Sequence, residues 1–306
     1  TSNSTGYENT ASGFGSLFWN SEGIRNTAVG FQSLFLNTTG IENTAVGYQS
    51  LSSNTLGKYN TAVGFKSLNY NSTGEFNTAS GLNSLYSNTT GFQNTASGNA
   101  SLYFNTTGYS NTAIGNGAGR DITTGSNNTV IGFDAQVPNG AANNQVRIGN
   151  WDVTYSGVQV AWTITSDKRW KSDIKSSVLG LNFISKLNPV SYTRNNDEKK
   201  RIEYGLIAQE VEEVLEESGI ENAGMLTIDD NGRYELRYND LLAPMIKAIQ
   251  ELKSENEQLK NQIEEVLEIR EQLSEIKILK EELIEQITQL KANNNIGEVK
   301  FSSLGK

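Results

Sequence analysis

A serine and a lysine stand five residues apart in the string Ser166-Asp167-Lys168-Arg169-Trp170-Lys171-Ser172-Asp173-Ile174. A serine hydroxyl becomes a nucleophile when a neighbouring base takes its proton, and the commonest such base, histidine, does not occur in this chain. Cysteine is absent as well. Together these absences exclude Ser-His-Asp and Cys-His nucleophiles, thiolate or imidazole zinc sites and disulfide frameworks. Chemistry is left to Ser, Thr, Lys, Asp, Glu and Tyr. A lysine serves as base where burial or nearby cations lower its pKa. Lys168 and Arg169 are placed to contribute such a field, and Trp170 to exclude water. By spacing alone, a Ser and a Lys five residues apart read as a solvated charged linker rather than as a catalytic pair.

The string falls on a boundary. The 306 residues suggest about two domains. Residues 1–165 carry 5 Lys/Arg, 7 Asp/Glu and 22 of the 29 glycines, whereas residues 166–306 carry 20 Lys/Arg, 27 Asp/Glu and 7 glycines. The net charge of −9 argues against nucleic acid or an anionic membrane as partner, because both are bound through clustered positive charge. No run of about 18 apolar residues occurs, and the polar opening at Thr1 lacks a signal-peptide pattern. The expectation is a soluble chain without cofactor or metal, beginning inside a longer or processed protein.

Upstream of the boundary the chain repeats every 17 residues. Asn9, Asn26, Asn43, Asn60, Asn77, Asn94, Asn111 and Asn128 mark the period, and the consensus reads NTAxGxxSLxxNTTGxx. Two glycine-containing turn signals and two short apolar stretches per unit suit one coil of two short strands, and stacked coils make a β-solenoid over residues 1–150. A small residue (Ala28, Ala45, Ala62) and a large one (Leu34, Leu51, Leu68) should point inward in each coil. Eight coils at the strand spacing span about 40 Å. The asparagine columns are expected to be turn formers and stacked amide ladders. Uniform repeats cannot define register between associated chains, since a slip of one repeat changes few contacts.

Downstream, Val158–Thr165 alternates like a strand, within a strand-rich neck at 151–165. Residues 166–240 read as a small α+β domain. It should hold a short helix over Gly180–Leu187 stopped by Pro189, an amphipathic helix over Ala208–Glu217, and a hairpin turning at Asp229-Asp230-Asn231-Gly232. Across 241–292, Met245, Ile249, Leu252, Asn256, Leu259, Ile263, Val266, Arg270 and Leu273 form an a/d seam, which Ile276, Leu279, Leu283, Ile287 and Leu290 continue after a stammer. This predicts a coiled coil, with Asn256 and Arg270 as polar insertions that specify register and strand number. Residues 293–306 form a tail.

The repeats resemble the head repeats of trimeric autotransporter adhesins and the repeat regions of bacterial and phage tail fibres. The string from Ser166 to Lys171 resembles the Ser-Asp-x-Arg-Leu-Lys signature that opens the intramolecular chaperone domain of phage endosialidase tailspikes, a domain found also in other phage fibres and in a membrane-bound animal transcription factor. Trp170 replaces the usual Leu. Tyr204-Gly205-Leu206-Ile207-Ala208-Gln209-Glu210-Val211 and Tyr238-Asn239-Asp240-Leu241-Leu242 resemble the same family's later landmarks. The resemblance implies a homotrimer whose C-terminal domain aligns the chains and cuts itself off between Thr165 and Ser166, with Ser166 as nucleophile and Lys171 as general base. It implies a virion tail fibre or another extracellular, cell-surface protein, with a host glycan or protein as possible receptor. Asp167 and Arg169 are typical of the family, and a structural turn or ion pair is their expected role.

Two other readings come from different classes. One is a bacterial surface adhesin whose C-terminal half is a permanent, uncut trimerisation domain. The other is an enzyme acting on an external glycan, but Glu8, Glu22, Glu42 and Glu75 fall at differing repeat positions and suggest no carboxylate pair.

Overall fold

A computed structural model describes residues 4–294. The chain divides into two units, one comprising the residues up to 172 with 188–216 and 220–237, the other 173–187, 217–219 and the residues from 238 onward.

The first unit is built on a solenoid. The strands β1 (Thr10–Ser12), β2 (Thr27–Val29), β3 (Thr44–Val46), β4 (Thr61–Val63), β5 (Thr78–Ser80), β6 (Thr95–Ser97), β7 (Thr112–Ile114), β8 (Thr129–Ile131) and β9 (Val146–Ile148) form one parallel sheet in sequence order. Register follows the period, with Ala28 opposite Ala45 and Ala45 opposite Ala62. These alanines and Leu34, Leu51, Leu68, Leu85 and Leu102 are fully enclosed. Burying each leucine contributes roughly 1.5–3 kcal/mol, so the thin core gains stability by stacking coil on coil.

Each coil holds one strand rather than the two expected. The Ser-Leu stretch is a turn, because Gln32 and Leu34 adopt left-handed φ angles of 51° and 49° and their equivalents in later coils do the same. A backbone that enters the left-handed region at alternate residues cannot extend, yet it still bonds between coils, as in Leu34 N–H to Ser50 O at 3.0 Å. Two asparagine columns line the interior as amide ladders. In one, Asn60 Nδ2 donates to Asn43 Oδ1 at 3.1 Å and to Gly74 O at 2.8 Å. In the other, Asn54 Nδ2 donates to Asn37 Oδ1 at 2.8 Å and to Gly57 O at 3.0 Å. Both are buried, and each satisfies turn carbonyls that water cannot reach.

The repeat runs one coil further than the asparagines indicate. Gln145 stands where the ninth Asn would fall, and its N–H still donates to Asn128 Oδ1 at 2.9 Å.

After the solenoid, residues 151–166 are all exposed and no described sheet includes them. The alternation of Val158–Thr165 therefore does not produce a strand within this chain, since a strand needs a neighbour for its backbone groups. A sheet that the alternation did not suggest pairs β10 (Val190–Thr193) with β11 (Ile202–Gly205) antiparallel. The amphipathic helix (Ala208–Glu217) forms as predicted and buries Val211 and Leu215. The predicted hairpin is present as β12 (Leu226–Ile228) and β13 (Tyr234–Leu236). Asp229 closes its tip, accepting the Asn231 and Arg233 N–H groups on Oδ1 at 2.9 and 2.8 Å.

In the second unit a short helix, α1 (Leu181–Ile184), packs on a long one, α3 (Leu242–Asn294), and is shorter than the eight-residue helix expected. With the helix over Ala208–Glu217 as α2, these are the three α-helices of the described residues. Phe183, Leu241 and Ala248 are buried there. Glu251 accepts the Leu181 N–H at 2.6 Å and pairs with Lys247 at 3.1 Å; those partners, the backbone N–H foremost, hold its carboxyl below the usual range. From Leu252 to Ala292 every residue of α3 is exposed, the predicted apolar seam included. The predicted tail is helical through Asn294, and its residues 295–306 lie outside the described residues.

Candidate functional site

The motif at the boundary folds into a single 3₁₀ turn, Lys168–Trp170. Asp167 caps it, its Oδ1 accepting the Arg169 N–H at 2.9 Å. The turn closes with the Lys171 N–H donating to the Lys168 carbonyl at 3.1 Å. Reversing the chain in this way returns the side chain of Lys171 to the start of the motif, where Nζ donates to Ser166 Oγ at 2.7 Å. Residues that are five apart in sequence thus meet at hydrogen-bond distance, the geometry a nucleophile and its base require.

Asp167 and Arg169 take the structural role expected of them. The Arg169 guanidinium grips the Asp167 carboxylate through Nε at 3.0 Å and Nη2 at 2.6 Å. That pairing holds the Asp167 carboxyl below the usual range and pushes the guanidinium up. Arg169 is therefore committed to a carboxylate, and the net field that it and Lys168 offer the lysine is weaker than the sequence suggests. Trp170 does not exclude water in the single chain, being 82% exposed. A 3₁₀ turn points successive side chains about a third of a revolution apart, so the turn that brings Lys171 to Ser166 directs Trp170 outward. Ser166 and Thr165 are exposed too.

The exposed tryptophan has company. Val158, Val160, Trp162 and Ile164 precede the motif in sequence, each more than half exposed. Exposed apolar side chains at this density are uncommon on a monomer. Among the described residues no group of His, Cys, Asp or Glu could hold a metal ion, and no helix is long and apolar enough to cross a membrane.

Sequence reading did not find the contacts that seat the later hairpin on the last coil. Arg147 pairs with Glu235, and Arg147 and Arg233 both lie over the Trp151 ring at 4.7 and 5.0 Å from its centroid. One signal was available. In register, Arg147 follows Ala113 and Val130 in the inward column, where a charge demands a partner.

No curated protein and no solved structure matches the chain. The model of the family described as chaperone of endosialidase does match, over residues 166–220, a segment that opens on the Ser166 and Lys171 pair and closes just beyond α2.

Proposed function

We propose that this chain is one third of a homotrimeric fibre whose C-terminal part is an intramolecular chaperone that cuts itself off between Thr165 and Ser166. The observation that carries the reading is the 2.7 Å contact between Lys171 Nζ and Ser166 Oγ at the first residue of the family match. The family match supports trimeric assembly, and the exposed seam of α3 and the apolar flanks of the motif are surfaces that assembly would cover. The fibre part is a solenoid, in keeping with a phage tail fibre or another extracellular fibre.

In the reaction, Lys171 as free amine takes the Ser166 hydroxyl proton while Oγ attacks the Thr165 carbonyl carbon. The peptide C–N bond breaks as the acyl group passes to Oγ, and the leaving nitrogen, protonated in turn, becomes the new amino terminus. Water then hydrolyses the ester to give a Thr165 carboxylate and the free Ser166 hydroxyl. Desolvation favours a free amine over an ammonium. Closing three chains around Trp162, Ile164 and Trp170 would dry the motif, so cutting waits for assembly. Attack on the adjacent carbonyl is intramolecular, and positioning supplies much of the acceleration. The Asp167–Arg169 pair, by fixing the turn, positions Lys171. Once the aligner is gone, the fibre cannot unfold by the route along which it folded, and its persistence becomes kinetic.

Intact mass and N-terminal sequencing of the wild type beside Ser166→Ala and Lys171→Ala test this. A new terminus reading Ser-Asp-Lys-Arg in the wild type alone supports the cut and both roles. A wild-type trimer that stays whole refutes the cut and leaves a permanent trimerisation domain.

A further inference from the structure

The inward column of the solenoid runs Ala28, Ala45, Ala62, Ala79, Ala96, Ala113, Val130, all fully enclosed, and then reaches Arg147. A guanidinium in a column of methyl groups ends the stack, because another coil would bury its charge. It also needs an anion, which the preceding coils do not supply. That anion, Glu235, lies on β13, in the portion of the chain beyond Ser166.

The rest of the contact is equally specific. The Arg147 side chain is 19% exposed and that of Glu235 30%, so the pair is sheltered from screening. Trp151 lies beneath both Arg147 and Arg233. At the hairpin tip, the Asp230 N–H donates to the Pro138 carbonyl at 2.7 Å, and Asp230 Oδ2 accepts the Gly140 N–H at 3.0 Å. Asn196 Nδ2, in the loop between β10 and β11, donates to the Trp151 carbonyl at 2.9 Å. All of these contacts join residues 138–151 to residues 196–235, with the exposed neck and the Thr165–Ser166 bond between them.

We infer that the hairpin β12–β13 is a clasp that holds the C-terminal part on the last solenoid coil without a covalent link. Its biological use rests on the proposed cut. Breaking the Thr165–Ser166 bond then frees the chain but not the fragment, and separation becomes a second event governed by Arg147, Trp151, Asp230, Arg233 and Glu235. The clasp shields the charged end of the column until that event.

The test supplies its own cut. A site-specific protease sequence is inserted between Gly157 and Val158 in the full Ser166→Ala chain, the protein is cut with added protease, and the two fragments are followed by size exclusion over time. Failure of self-cleavage therefore cannot be confused with failure of the clasp. The expected result is co-elution of the fragments in the parent, at least tenfold faster separation with Glu235→Lys, and recovery when Arg147→Glu is added to Glu235→Lys. Recovery by charge exchange also shows that Glu235→Lys did not merely unfold the hairpin. Immediate separation of the parent fragments overturns the inference. So does retention indifferent to Glu235→Lys, or a loss that the exchange does not restore.

Discussion

Asparagine 60 offers a direct measure of what the amide ladder contributes. Its side chain is fully buried and makes four hydrogen bonds. Nδ2 donates to Asn43 Oδ1 at 3.1 Å and to Gly74 O at 2.8 Å, while Oδ1 accepts the Asn77 N–H at 3.0 Å and Asn77 Nδ2 at 3.1 Å. In Asn60→Ala most of the partners retain another bond. Asn43 Oδ1 still accepts the Asn60 N–H, Gly74 O still accepts Asn71 Nδ2, and Asn77 Nδ2 still donates to Gly91 O. The Asn77 backbone N–H loses its acceptor. A buried orphan donor costs about 1–3 kcal/mol, and each shared bond lost about 0.5–1 kcal/mol more. The expected local destabilisation is about 2.5–6 kcal/mol, at least roughly 70-fold in the opening equilibrium. Because a solenoid couples nearest neighbours, the loss should be confined to the coils around β4 and β5. Hydrogen exchange read by mass spectrometry reports both quantities, with exposed Thr61→Ala as a control expected to stay within about 0.5 kcal/mol. A loss below about 1 kcal/mol, or one spread evenly along the solenoid, would refute the reasoning.

Two further outcomes follow from local geometry. Gly64 adopts φ +134°, and a Cβ there would lie 2.5 Å from Gly81 O, so Gly64→Ala must displace the next coil; Gly219, at φ +71° with open space around it, bears only the conformational cost. Gly64→Ala should lower the denaturation midpoint well beyond the roughly 1 kcal/mol expected of Gly219→Ala, and equal midpoint shifts would contradict this. The carboxylate of Asp197, almost fully buried, accepts the Arg201 guanidinium Nε–H and the Arg201 backbone N–H, and these bonds hold it down at about 2. Unfolded, it would titrate near ~3.9. A depressed folded value means that its stabilisation is complete above about pH 4 and is lost as pH falls through about 2. Limited proteolysis of the loop between β10 and β11 should therefore accelerate between pH 4 and 2 in the parent, and Asp197→Asn should be cut readily at both; a parent whose loop is equally resistant throughout would contradict the assignment.

Periodicity carries the long-range information in this chain. An exact repeat of 17 residues can only stack like on like, so the asparagine spacing was enough to place Ala28 and Leu34 inside, and the pattern of Ala208–Glu217 was enough to place a helix. The motif from Ser166 to Lys171 was visible for a related reason, since its partners are joined by one turn. Properties set by distant neighbours were not legible. The Ser-Leu stretch looked like a strand because side-chain pattern says nothing of φ, and the left-handed angles at Gln32 and Leu34 are imposed by bonds from the adjoining coils. Val158–Thr165 has the alternation of a strand, yet no sheet among the described residues includes it. Arg147 could be read as a charge in an apolar column, but its answer, Glu235, lies 88 residues away on a hairpin that nothing local directs towards the solenoid. Local sequence decides what a segment can become, and the hydrogen-bond and charge partners that folding delivers decide which possibility is realised.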